Sequence, residues 1–275
     1  MSNINTFLKI FRDIDSAKIC HPRNLNVKEL INYNFVLYEP FDRFIDFHER
    51  KLNIKYIIAE LAWYLRGNLF LDGIDHYAKF WGDICDKNGT INSNYGYYIF
   101  KEGQFNRIID KLKEDMYTRQ AIIIINRPDV LFKNTKDQIC TTSLHFLIRD
   151  DKLHLIVNMR SNDLIFGLCN DLPFFTILQE FILNIMIDFY PQLKMGNYFH
   201  NDGSLHVYER HFDLVKNILN NARREEIYLP KIKNSEEVYY IIDNLGNDEI
   251  KLRNNIEVKN HDNFDFYNSC INILK

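Results

Sequence analysis

The chain has 275 residues, 46% of them hydrophobic and 14% aromatic, which is enough apolar material for one substantial core and points to a single domain over 1–275. A formal net charge of −3 and a pI near 6.3 exclude a broad polyanion-binding surface, so nucleic acid is not expected as a partner, while a small anionic ligand is compatible. The cysteines, Cys20, Cys85, Cys140, Cys169 and Cys270, are odd in number and contain no CxxC pair, which argues against a disulfide framework or a zinc ribbon, offers no metal site, and fits a reducing compartment such as the cytoplasm.

From Asn53 to Arg66, Ile54, Ile57, Ile58, Leu61, Ala62 and Leu65 recur at helical spacing, and Gly67 is placed to stop that helix. Glu60 lies inside it, and the flanking Ile57, Leu61 and Trp63 argue against an exposed acid. Ala121 to Asn126, Thr142 to Arg149 and Leu153 to Arg160 are short and rich in β-branched or alternating apolar residues, so they read as strands. The last two join through Asp150-Asp151-Lys152 as a hairpin. Pro173 to Phe189 is apolar on nearly every face and predicts a buried central helix; Gln179, Glu180 and Asn184 interrupt its apolar run, so no membrane span is expected, and no N-terminal stretch resembles a signal peptide. Asn197 to Tyr208 is strand-like, Glu209 to Asn220 helical, and Val238 to Ile242 reads as a further strand. Helices and mostly antiparallel strands in this mixed order predict an α+β fold.

The stretch from Met159 to Asp171, MRSNDLIFGLCND, couples Arg160-Ser161 to Asp163, Gly167 and Asp171. An Arg-Ser pair at a strand end suits a phosphate, because the guanidinium offers a fixed fork of donors and the hydroxyl adds another. Cys140 precedes the same hairpin, which puts a nucleophile and an anion clamp on neighbouring strands. Four further motifs are collinear with this one: ELAWYLRG from Glu60 to Gly67; Trp81 followed by Asn88-Gly89 and Tyr95-Gly96; Cys140 to Phe146; and GSLHVY from Gly203 to Tyr208. In this order they resemble the thymidylate synthase and deoxycytidylate hydroxymethylase family across Arg23 to Asp213, closer to the deoxycytidylate branch.

The resemblance implies a thymidylate synthase-like fold, with a mixed, mostly antiparallel sheet packed by helices, and a homodimer formed sheet to sheet. It also implies a pyrimidine nucleoside monophosphate as substrate and 5,10-methylenetetrahydrofolate as co-substrate. C5 of a pyrimidine is a poor nucleophile, and these enzymes add a thiolate to C6 so that C5 can attack a one-carbon electrophile. Cys140 is the implied nucleophile, and a thiolate forms readily only beside cations such as Arg160. Cys20, Cys85 and Cys270 read as small buried hydrophobes, and Cys169 stays open between packing and the nucleotide loop. Glu60 matches the carboxylate that manages protons through ordered water. The phosphate is implied to lie between Arg23, Arg160 and Ser161, with Arg119 reaching over from a second subunit. Where the family pattern has two successive arginines, this chain has Arg119-Gln120, one cation fewer. His206 and Tyr208, on one strand face, match the pair that holds the sugar hydroxyl, and Tyr95 falls among the substrate residues. Trp81, Asp163 and Gly167 match positions associated with the pterin.

Asp171 selects the base. Uracil-using members resemble an Asn here, whose amide accepts from N3–H and donates to O4 at once. Cytosine presents an amino donor and an N3 acceptor, and a carboxyl can accept from the first and share a proton with the second. Asn170, one residue earlier, is the alternative: a register shift could bring its amide into the pocket and restore dUMP. Two fates remain open for the one-carbon unit, reduction to methyl or hydration to hydroxymethyl. Thr141, where thymidylate synthases commonly have His, and Asp171 together favour hydroxymethylation of dCMP. Thymidylate synthesis, dCMP methylation and a non-catalytic nucleotide-binding relative are the alternatives.

Overall fold

The computed structural model describes residues 2–275. From the N-terminus come α1 (Ile4–Asp15), β1 (Ile19–Cys20), β2 (Val27–Leu37), α2 (Ile54–Arg66), α3 (Phe80–Ile84) and α4 (Gln104–Glu114). Then follow β3 (Ile122–Ile124), α5 (Pro128–Leu131), β4 (Thr141–Arg149), β5 (Lys152–Met159) and β6 (Asn162–Asp163). The second half is α6 (Cys169–Ile187), β7 (Lys194–Tyr208), α7 (Phe212–Asn221), α8 (Ser235–Arg253) and α9 (Asp265–Leu274).

The strands form one sheet in the order β1-β2-β7-β5-β4-β3, with β6 beside β7. Every pairing is antiparallel except those of β7 with β5 and β6, so the mixed, mostly antiparallel α+β arrangement expected from the sequence is observed. The β4–β5 hairpin turns through Asp150 and Asp151 at φ 51 and 53, the left-handed geometry whose twist matches the flanking strands. In α2 the Asn53 side chain accepts from the Tyr56 amide at 3.0 Å, and Gly67, at φ 56, ends the helix as its spacing predicted.

The helix α6 runs through the interior, and each polar residue that interrupts its apolar sequence finds a partner there, although Gln179 Oε1 has none among the described residues. Gln179 donates to the Leu153 carbonyl at 2.9 Å, and Asn184 to the Glu180 carbonyl at 3.0 Å. Glu180 pairs with Arg43 at 2.6 Å and accepts from the Ile232 amide at 2.7 Å. The helical stretch Leu164–Ile187 is long and apolar enough to cross a membrane, yet most of it lies inside the fold.

Two elements differ from the sequence reading in ways that bear on the site or the fold. α6 begins at Cys169 rather than Pro173, so Asp171 belongs to its first turn rather than to a loop. Pro173 removes one backbone donor early in the helix, where a π-helical turn, Leu164–Leu168, leads in. The strand read at Val238 to Ile242 is instead part of α8. Its β-branched run is overridden by helix signals: Asn234 accepts from the Glu237 amide at 3.0 Å, Glu236 and Glu237 occupy the first turn, and Val238, Ile241 and Leu245 are buried along one face. Glu237 also accepts from the amides of Phe266 and Tyr267 at 3.0 and 3.2 Å, pinning the start of α9 to α8.

Candidate active site

The β4–β5 hairpin brings the proposed nucleophile and anion clamp together. The Arg160 amide donates to the Cys140 carbonyl at 2.8 Å, and its side chain donates to the carbonyls of Ile139 and Gln138 at 2.8 and 2.7 Å. The guanidinium therefore closes the loop that carries Cys140, while Arg160 itself stays exposed to a ligand. Burial pushes the Cys140 thiol up to about 11; Arg160 pulls it back, and Asp171, Asp137 and Asp202 push it further up. In the free protein burial outweighs the one nearby cation, so Cys140 rests as a thiol rather than as the thiolate expected beside Arg160.

Glu60 lies mid-way along α2 with only 4% of its surface exposed. Tyr56 and Tyr64 stand one turn to either side of it, on the same helix face. The Tyr56 hydroxyl donates to Glu60, and the Trp81 indole donates to that hydroxyl at 3.0 Å. Burial raises the Glu60 carboxyl to about 7, against the lowering effect of hydrogen bonds from Tyr56 and Tyr64. Trp81 is thus both buried and wired to the acid, and the Tyr64 ring stacks on Tyr95 with centroids 5.3 Å apart.

Asp171 faces the same interior. Its carboxyl is held well above the usual carboxylate range by burial first and then by Glu60 and Asp202, against a hydrogen bond from Asn162. Gly167 makes that bond possible: a Cβ there would sit 2.0 Å from Asn162 Oδ1. Asn170 is turned away, its amide donating to the Phe166 carbonyl at 2.7 Å, so the register shift that would substitute it for Asp171 does not occur. Cys169 is buried with its sulfur 3.1 Å from the Leu164 carbonyl, a packing role.

On β7, the rings of His206 and Tyr208 meet edge to face at 5.2 Å, and His206 Nδ1 lies 3.5 Å from the Ser161 hydroxyl. Arg23 sits in the exposed β1–β2 loop at φ 52, beyond the end where Val27 of β2 pairs with Tyr208. Among the described residues its guanidinium forms no hydrogen bond or ion pair, as a residue awaiting an anion would. Asp163 Oδ1 accepts from the Ile165 amide at 2.9 Å and caps the π-helical turn. Arg119 is exposed ahead of β3, the edge strand farthest in sheet order from β2 and β7. Among the described residues only its backbone carbonyl is engaged, by His145 at 3.1 Å, so Arg119 does not join the residues above within one chain.

The sequence reading missed Tyr56, Tyr64 and Asn162, which hold Glu60 and Asp171. It also missed a polar chain on β7 formed by Tyr198, His200 and Asp202. For the tyrosines the spacing of four residues from Glu60 was a usable signal; for Asn162 and the β7 chain, only the fold reveals what they face.

A family profile described as thymidylate synthase matches residues 34–263. The chain is 37% identical over 201 residues to the deoxycytidylate 5-hydroxymethyltransferase of Enterobacteria phage T4, covering 68% of this chain and 78% of that protein. It is 29% identical over 212 residues to the deoxyuridylate hydroxymethyltransferase of Bacillus phage SP01, covering 71% and 54% of the two. Identity to the thymidylate synthase of Bacillus atrophaeus is 29% over 216 residues, covering 74% and 91%. Among solved structures, the thermostable thymidylate synthase A from Bacillus subtilis shares the fold, with a TM-score of 0.65 at 20% identity over 80% of this chain and 84% of that one. A chain that carries this profile over most of its length belongs to the thymidylate synthase family.

Proposed function

We propose that this protein, a folate-dependent one-carbon transferase acting at C5 of a pyrimidine nucleotide, takes dCMP and 5,10-methylenetetrahydrofolate and releases 5-hydroxymethyl-dCMP. The observation that carries the choice of base is Asp171, whose carboxyl is biased to its acid form by burial and by two neighbouring carboxyls. An acid-form carboxyl donates to N3 of cytosine and accepts from the 4-amino group. Cys140 gives up its thiol proton to water as Sγ bonds to C6, N3 takes the Asp171 proton, and C5 gains the electron density it lacks. Uracil already carries hydrogen at N3 and has no use for that proton. The relatives named above act on deoxycytidylate in one case and deoxyuridylate in another, so the base is set within the family by the site rather than by the fold.

The folate supplies the one-carbon unit. The chain offers surfaces that suit it: exposed Phe80 packs beside Trp81 at 5.7 Å, and exposed Phe166 carries the Arg50 guanidinium 5.5 Å over its ring. Flat aromatic faces fit a pteridine, a guanidinium fits a carboxylate tail, and Asp163 and Gly167 border the same turn. Glu60, near neutrality in its titration, is suited to take the C5 proton and return one through water. C5 bonds to the one-carbon unit and tetrahydrofolate leaves; water then adds to the exocyclic methylene on C5, Sγ is expelled from C6 and N3 returns its proton to Asp171, giving the hydroxymethyl product. The phosphate is held by Arg23, Arg160 and Ser161, and the 3′ hydroxyl by His206 and Tyr208, with Tyr95 lining the pocket.

The remote position of Arg119, exposed and without a side-chain partner among the described residues, supports a homodimer in which it serves the second subunit's phosphate site. The single continuous hydrophobic cluster supports one catalytic domain over 1–275, and the phage relatives favour a viral protein working in the host cytoplasm. The test uses dCMP or dUMP tritiated at C5 with methylenetetrahydrofolate. Tritium release from dCMP without dihydrofolate is expected. Release accompanied by dihydrofolate indicates methylation instead, and no release from either nucleotide overturns the enzymatic reading.

A further inference from the structure

Along β7, Tyr198, His200 and Asp202 alternate with the strand period and project to its buried side. The Tyr198 hydroxyl lies 2.7 Å from His200 Nδ1, and His200 Nε2 lies 3.2 Å from Asp202 Oδ1. Phe35 stacks on the imidazole with centroids 4.9 Å apart, fixing its plane. Asp202 is only 1% exposed, and its Oδ2 has no hydrogen-bond partner among the described residues. A half-satisfied buried carboxyl is costly, and such a group is normally retained for a reason beyond packing.

Its surroundings supply one. Strand register sets Asp202 opposite Met159 of β5; the Met159 sulfur receives the Asn162 amide at 3.1 Å, and Asn162 in turn holds Asp171. We propose that Asp202 is a positioning residue for Asp171: anchored by His200, its carboxyl stands behind the base-reading group and opposes its ionisation, so that Asp171 keeps its proton until N3 of the nucleotide takes it. The transfer to N3 rests on the dCMP reading above, whereas the coupling between the two carboxyls does not.

The groups facing Asp171 are Glu60, Tyr56 and Tyr64 from α2, Tyr95, Cys140 ahead of β4, Cys169 on its own helix, and Tyr198 with Asp202 from β7. Only Glu60 and Asp202 among them are carboxyls. Glu60 acts on Asp171 more strongly than Asp202 does, but it is itself raised to about 7 and is mostly uncharged below neutrality.

The full-length Asp202→Asn protein provides the test. Without nucleotide, the protonated-carboxyl infrared band that disappears in Asp171→Asn is followed against pH. The Asn substitution is expected to lower the pH at which Asp171 deprotonates by on the order of one unit, and to move the alkaline limb of kcat/KM for dCMP by a similar amount. Adding it to Asp171→Asn is expected to leave that limb where Asp171→Asn alone puts it. If the Asn variant does not fold, Asp202→Ser removes the same charge with less bulk. An unchanged Asp171 titration in a folded variant overturns the proposal. A shifted titration in a protein that never turns over dCMP upholds the carboxyl coupling and rejects the dCMP reading instead.

Discussion

The backbone amide of Arg160 donates to the carbonyl oxygen of Cys140 at 2.8 Å, so the proposed nucleophile and anion clamp are fixed to each other at the open end of the β4–β5 hairpin. Two further bonds from the guanidinium to the Cys140 loop make the clamp part of the loop's scaffold. An arginine here therefore acts on the sulfur both as a charge and as a brace.

The resting state of that sulfur is testable. With the thiol raised to about 11, alkylation of Cys140 by iodoacetamide in the free protein should be slow at pH 8 and rise about tenfold per pH unit toward that value. Arg160→Gln should slow it further by removing the group that pulls the thiol down. Peptide mass spectrometry across a pH series reads both, and fast alkylation independent of pH contradicts the burial argument.

Glu60 links function to stability. Its ordinary value is 4.5 and its folded value about 7, so between these the unfolded chain releases a proton that the folded protein keeps, and stability falls as pH rises through that window. Glu60→Gln should be more stable than wild type by about 2–3 kcal/mol above pH 7, with no difference below about pH 4. The same variant should lose about 10²–10⁴ in kcat. Urea titrations at the two pH extremes and a steady-state assay check the pair.

Asp171→Asn replaces an acid by an amide that can face uracil. The ratio of kcat/KM for dCMP over dUMP should fall about 10- to 100-fold, in keeping with about 1–3 kcal/mol for a mismatched buried polar pair. An unchanged ratio rules out Asp171 as the base reader.

Tyr56→Phe removes the hydroxyl between the Trp81 indole and Glu60. It leaves a buried indole N–H unpaired, at a cost of about 1–3 kcal/mol in stability, and withdraws a hydrogen bond that lowers the Glu60 carboxyl. The acid limb of the pH–rate profile should move to higher pH, and KM for the folate should rise. A profile identical to wild type excludes the hydrogen-bonded chain as a functional unit.

Arg43 and Glu180 form an ion pair with 3% and 1% exposure inside the helical layer. Arg43→Met strands the Glu180 charge, and chemical denaturation should show a loss of about 3–5 kcal/mol.

Much of this was readable in the sequence because it depends on local order. The helix of Glu60 carries its own cap and stop in Asn53 and Gly67, and the β4–β5 hairpin announces itself through Asp150-Asp151. The position of Asp171 was readable from its motif, but its place in the first turn of α6 was not, since Pro173 suggested a later start. The segment Val238 to Ile242 was misread because β-branched residues favour strands in isolation, while the caps and burial that make it helical depend on α9 and on residues outside the run. Asp202 and His200 were invisible for a different reason: on a strand, only the neighbours supplied by β5 and α6 reveal what a polar side chain faces.

Strand β7 buries Tyr198, His200 and Asp202 on even-numbered positions but Leu205 and Val207 on odd ones, so the buried parity changes across Gly203 and Ser204 and leaves His206 and Tyr208 half-buried. Adding or removing one residue between Tyr198 and Tyr208 would throw every member of one of those groups to the opposite surface. The strand can therefore absorb an exchange of side chains far more easily than a change in its length.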